Sequence, residues 1–73
     1  MHRIGWLVDV RENHVVTCSC GNAEITADTP RHWSAFLARE LDSRSQAHFI
    51  TCTRCGNGQR AQPSRQRLLR SVS

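Results

Sequence analysis

One short motif occurs twice in this chain and uses every cysteine the chain has. His14-Val15-Val16-Thr17-Cys18-Ser19-Cys20-Gly21-Asn22 aligns with His48-Phe49-Ile50-Thr51-Cys52-Thr53-Arg54-Cys55-Gly56-Asn57 once Arg54 is treated as a single insertion. Six of the nine paired positions are identical, and the other three exchange apolar for apolar or Ser for Thr. Each copy reads as a short strand delivering two cysteines into a tight Gly-Asn turn. Two such knuckles, with two thiolates apiece, meet the demand of one tetrahedral metal ion. Cys18, Cys20, Cys52 and Cys55 are therefore the candidate ligands, and one Zn2+ is the candidate cofactor.

The spacing agrees with that geometry. A zinc ion holds sulfurs at about 2.3 Å, which places two of them roughly 3.8 Å apart. Cys52-x-x-Cys55-Gly56 folds back to this distance, with glycine free to take positive φ. Cys18-x-Cys20-Gly21 is one residue shorter, but residues i and i+2 of an extended chain share a face about 6 to 7 Å apart, and modest bending brings the sulfurs together. Between Cys20 and Cys52 lie 31 residues. That exceeds the roughly 15 to 20 of the commonest zinc spacing, so a structured insertion is expected there.

Over roughly residues 14 to 62 the two knuckles resemble the zinc-ribbon class. The resemblance implies knuckles carried on β-hairpins and a non-catalytic module of the kind found in transcription, translation and nucleic-acid handling. Three other uses of the cysteines stay open at this point: a pair of disulfides, a redox dithiol, and a Cys3His site that recruits His14 or His48. Both histidines stand four residues before a cysteine, roughly 13 Å along an extended strand, which favours structural or surface roles for them. Disulfide frameworks belong to secreted chains, and Met1 to Val10 lacks the apolar run of a secretory leader. No stretch approaches the roughly 18 consecutive apolar residues of a membrane span. A soluble, cytoplasmic protein in a reducing compartment is the expectation.

A chain of 73 residues makes one domain. At that size only about 60% of the unfolded surface is buried, so the apolar core alone is marginal. Structural zinc contributes apparent binding energies on the order of 10 to 16 kcal/mol in small modules, and the metal is expected to dominate folding. Charge is unevenly placed: residues 1–42 carry net −2, while residues 43–73 hold six arginines and no acid. Lysine is absent. Every cation is thus a guanidinium fork suited to phosphate, carboxylate or ring planes.

Taken in order, Ile4, Trp6, Val8 and Val10 alternate with other residues as in a half-buried strand, and Arg11-Glu12-Asn13 turns into the first motif. Ala23, Ile25 and Ala27 alternate likewise, which completes a three-stranded meander. Asp28-Thr29-Pro30 has the form of a helix start. Trp33, Phe36, Leu37 and Leu41 then fall at helical spacing, which predicts a helix from about Pro30 to about Arg44 packing its apolar face on the sheet. After a linker at 43–46, Ala47 to Cys52 forms the strand into the second knuckle, and Gln59 to Gln62 the return strand. Pro63 ends the ribbon, and Ser64 is placed to cap a short helix over Arg65 to Val72, with a solvated tail as the alternative. The fold class expected is small α+β and metal-stabilised, with the zinc-ribbon domain at 1–62, its inserted helix at about 30–44, and a basic tail or short helix at 63–73.

Four thiolates close a zinc shell, whereas catalytic zinc keeps an open position for water. No Gly-rich phosphate loop or nucleophile motif is present, and no small-molecule substrate or enzymatic activity is expected. Two classes of partner remain. In the first, Arg54, Arg60, Arg65, Arg67 and Arg70 contact nucleic acid. Rings available for base stacking are scarce: Trp6, Trp33 and Phe36 read as core, and Phe49 alone stands near the second knuckle. In the second, the arginine tail with Leu68 and Leu69 docks a larger protein of the transcription machinery, such as RNA polymerase, as a small phage or bacterial regulator would.

Overall fold

The computed structural model describes residues 3–65. Among the described residues, seven strands form two sheets: β1 (Ile4–Val8), β2 (His14–Cys18), β3 (Ala23–Thr26), β4 (Phe36–Asp42), β5 (Ala47–Cys52), β6 (Gly58–Ala61) and β7 (Ser64–Arg65). The first sheet has the order β3-β2-β1-β7 and the second the order β4-β5-β6. All pairings are antiparallel except that of β7, which runs parallel to β1.

The helix expected over about 30–44 does not form, and the α+β class falls with it. Among the described residues the only helical element is one 3-10 turn, Pro30–His32. Phe36–Asp42 is a strand instead. Phe36 is fully buried while Leu37 and Leu41 are 61% and 49% exposed, so the period that holds is two, not 3.6. Spacing alone did not separate the cases, because Phe36 points inward under either period, and Trp33 reaches the core from the 3-10 turn before the strand rather than from the strand itself. What decides is non-local: β5 needs a partner on the side away from β6, and Phe36 to Glu40 pair with Cys52 to His48 to supply it.

With that correction the sequence repeat becomes a structural one. Each half is a three-stranded meander whose second hairpin carries a knuckle. Ile4 faces Cys18 as Phe36 faces Cys52, Val8 faces His14 as Glu40 faces His48, and Thr17 faces Ala23 as Thr51 faces Gly58. The cross-links between the halves are also paired. The Gln59 side chain on β6 accepts the Ile4 N–H at 3.1 Å and donates to the Ile4 carbonyl at 3.2 Å. Its counterpart on β3, Glu24, accepts the N–H groups of Ala35 and Ser34 at 2.8 and 3.1 Å, just before β4. The two halves are thus related by an approximate twofold exchange.

This register also corrects the phase of β3. Ile25 is 68% exposed, and Glu24 turns inward because it lies opposite the fully buried Val16. Ile4, Trp6, Val16, Trp33, Phe36 and Ile50 fill the space between the sheets together with Cys18 and Cys52. Core roles for Trp6, Trp33 and Phe36 agree with the sequence reading, whereas Val10 lies in the exposed first turn. There the Asp9 carboxylate accepts the Arg11 and Asn13 N–H groups at 2.8 and 2.9 Å, and Glu12 takes φ 66°. Residues 43–46, read as a linker, form the tight turn between β4 and β5. Ser64 and Arg65, placed above in the tail, pair with Leu7 and Val8. The rest of the tail reading, including Arg67, Leu68, Leu69 and Arg70, lies outside the described residues.

Candidate metal centre

Both knuckles are built by the same backbone bonds. Cys18 N–H donates to the Asn22 carbonyl at 2.8 Å, and Cys52 N–H to that of Asn57 at 2.9 Å. Gly21 N–H returns to the Cys18 carbonyl and Gly56 N–H to the Cys52 carbonyl, each at 2.9 Å. These closures require positive φ, and Gly21 and Gly56 take 107° and 78°. Glycine adopts such angles without the steric penalty an L side chain meets.

The turns carry the four cysteines to one point. Their sulfurs all lie within 4.8 Å of one another. Cys18 Sγ is 3.6 Å from Cys55 Sγ, and Cys20 Sγ is 3.6 Å from Cys52 Sγ. Each short contact therefore joins one half of the molecule to the other, and the cluster belongs to neither knuckle alone. Separations of 3.6 Å are close to the roughly 3.8 Å edge of a tetrahedral tetrathiolate and far longer than the roughly 2.05 Å of a disulfide bond. All four cysteines are free. The cluster is able to take one metal ion.

Donors around the sulfurs prepare them for a cation. Cys52 Sγ receives N–H groups from Arg54, Cys55 and the Asn22 side chain, each at 3.4 Å. Burial opposes the thiolate of Cys52, but these donors and the Cys20 thiol outweigh it and bring the group down to about 6. Cys18 behaves oppositely: the Cys20 backbone N–H favours its thiolate, yet burial and the three neighbouring sulfurs push it up to about 12. At Cys55 the Asn57 N–H favours the charged form, and burial with the Cys52 and Cys20 sulfurs still leaves the thiol raised. Of these three sulfurs, Cys52 is thus the one whose environment favours the thiolate, while those of Cys18 and Cys55 favour the thiol. A dication among the sulfurs would favour the thiolates of Cys18 and Cys55 as well.

Asn22, which the repeated motif marks only as a turn residue, has a second use. Its amide also bridges the Ala35 carbonyl, at 2.8 Å, to the Cys52 sulfur across the molecule. Its repetition directly after each Cys-Gly pair was the available signal.

The two histidines are not in the cluster. They sit at the opposite ends of β2 and β5 from Cys18 and Cys52, against Trp6, with ring centroids 5.8 Å (His14) and 5.1 Å (His48) from it. Trp6 Nε1–H donates to His14 Nδ1 at 3.0 Å. Burial, together with the charges of Arg65 and His48, holds His14 below its ordinary value against the pull of Glu12. His48 Nδ1–H donates to the Gln46 carbonyl at 2.8 Å.

Of the arginines singled out from sequence, Arg54 and Arg60 are exposed on the second knuckle and on β6. Arg65 is paired with Glu12 through contacts of 2.6 and 3.1 Å, which hold the Glu12 carboxyl below its usual range. No helix among the described residues is long and apolar enough to cross a membrane. No protein-family model matches the sequence, and no curated protein or solved structure matches it either.

Proposed function

We propose that Cys18, Cys20, Cys52 and Cys55 hold one structural zinc ion that fastens the two halves together, and that the module so formed is a non-enzymatic, cytoplasmic regulator contacting nucleic acid through its arginine-rich second half. The observation that carries the metal reading is the meeting of four sulfurs from two separate turns within 4.8 Å. An all-thiolate tetrahedral set suits zinc, and four protein ligands leave no position for a reacting water. The zinc-ribbon likeness of the knuckles supports the same role. The nucleic-acid reading is supported by the exposed guanidiniums of Arg54 and Arg60 and by the absence of acids from residues 43–73.

The test is a salt titration of binding to oligonucleotides at and around 150 mM. With zinc loaded, log affinity falls linearly with log salt, and the Arg54→Gln/Arg60→Gln variant flattens that slope by about 1.4 to 1.8. Binding that instead goes to a protein and is lost in Leu68→Ala/Leu69→Ala, with no salt-dependent nucleic-acid binding, overturns the nucleic-acid reading.

A further inference from the structure

The approximate twofold relation supplies an internal control for reading the outer sheet faces. Three positions aligned across the first sheet are Leu7, Val15 and Ile25, paired side by side. The equivalent positions across the second sheet are Arg39, Phe49 and Arg60. One half therefore carries an aliphatic row where the other carries a ring between two guanidiniums. Packing of the shared core does not require this difference, because the row points away from the core in both halves: Arg39, Phe49 and Arg60 are all exposed.

The neighbouring row explains how the ring is held. Gly58 stands where the first half has Ala23. A Cβ at Gly58 would lie 2.5 Å from Phe49 Cε2 and 2.6 Å from Cζ, so the ring occupies the space that a side chain at position 58 would fill. Phe49 lies against the backbone of β6 and remains 42% exposed. Leu37 and Thr51 complete the face beside it, and the two rows Arg39-Phe49-Arg60 and Leu37-Thr51-Gly58 contain no acid. Asp42 is an acid whose charge reaches Arg60, and its carboxylate is engaged by the Ser45 hydroxyl at 2.8 Å and the Arg44 N–H.

From this placement we infer that the outer face of β4-β5-β6 binds single-stranded nucleic acid, with a base stacked on Phe49 and adjacent phosphates paired to Arg39 and Arg60. An exposed ring on a sheet, flanked by two guanidiniums, fits an unpaired base with its backbone. A duplex hides its base faces, and a protein partner would call for an apolar face of the kind the first sheet presents. The inference deepens the nucleic-acid reading above and rests on it. It also adds Arg39, which a helical reading of residues 30–44 had left without a role.

Fluorescence anisotropy of the zinc-loaded full chain at about 150 mM salt, with labelled 12-mers of deoxythymidine and of uridine and a 12-bp duplex, tests it. Both single strands bind more tightly than the duplex, and their ratio tells DNA from RNA as the preferred source. Phe49→Leu weakens single-strand binding about tenfold, and Phe49→Trp restores it, as stacking requires. Gly58→Ala displaces the ring and weakens binding with Phe49 still present. Arg39→Gln/Arg60→Gln flattens the log-salt slope by about 1.4, and Ile25→Ser in the aliphatic row changes nothing. Zinc content measured on each variant keeps loss of fold distinct from loss of the platform. Single-strand affinity unchanged in Phe49→Leu, or a preference for duplex, overturns this inference and leaves nucleic-acid binding standing. No binding to any of the three probes overturns the nucleic-acid reading itself.

Discussion

Replacing Gln59 with alanine removes the side chain that fastens β6 to β1. Its amide satisfies both backbone groups of Ile4, at 3.1 and 3.2 Å, on a residue only 5% exposed. Each neutral hydrogen bond contributes about 1 kcal/mol net, and a buried group left unpaired costs about 1 to 3 kcal/mol. The two together put the loss at about 3 kcal/mol. Because the cysteines come from both halves, closing the halves and assembling the metal site are one event, so the loss appears as weaker metal binding. At roughly 1.4 kcal/mol per decade, apparent zinc affinity falls about 100-fold. Competition against a chromophoric chelator at fixed pH measures it. Gln59→Glu recovers part of the loss, because the carboxylate still accepts the Ile4 N–H but cannot donate to the carbonyl. An affinity within about threefold of the unaltered protein would contradict this role for Gln59, since that corresponds to less than one net hydrogen bond.

Three further outcomes are expected. Gly56→Val weakens zinc retention through backbone strain alone, at a cost of about 1 to 2 kcal/mol, because a Cβ there meets nothing within 4 Å while φ is 78°; Gly56→Asn is better tolerated, and equal retention by Val in the same chelator competition would contradict this. Since Cys52 sits at about 6 while Cys18 is pushed up to about 12 and Cys55 is also raised, metal capture near neutral pH expels protons from at least Cys18 and Cys55. Log zinc affinity therefore climbs by at least about 2 per pH unit between pH 7 and 8, and a slope below 1 in a pH series of chelator competitions would exclude these proton positions. His14 is depressed below 6.5 in the folded chain and is held neutral by accepting from Trp6, so the unfolded chain binds the extra proton; stability is flat above about 6.5 and is lost as pH falls from there toward the folded value, a component of the urea-midpoint profile that His14→Gln removes.

The metal centre was legible in the sequence because its information is local. Each knuckle is specified by a handful of adjacent residues, and the positive-φ glycine that closes the turn follows directly after the second cysteine. Repetition then showed that two such turns exist. The inserted segment was not legible, because Trp33, Phe36, Leu37 and Leu41 satisfy a helical spacing as well as they allow a strand. Its state is set by an unpaired edge of β5 some fifteen residues later, which no window around residue 36 contains. The phase of β3 failed for a related reason. Alternation in Ala23 to Asp28 marks two faces without saying which is inside, and the choice falls to Glu24, whose inward carboxylate finds the Ser34 and Ala35 N–H groups only once β4 is in place. Had the repeat been extended from the knuckles to whole meanders, the partner strand before His48 would have followed from β1.

One metal ion is expected to tie two equivalent turns together through four sulfurs, and counting the sulfur neighbours at the metal's absorption edge shows whether it does. X-ray absorption on the purified protein, with native mass spectrometry on the same sample, is expected to give one zinc per chain with four sulfurs at about 2.3 Å and no nitrogen in the shell. A shell containing nitrogen would contradict the ligand set, iron in its place would contradict the zinc assignment, and a metal-free chain lighter by about four hydrogens, as two disulfides leave it, would contradict metal binding by these cysteines altogether.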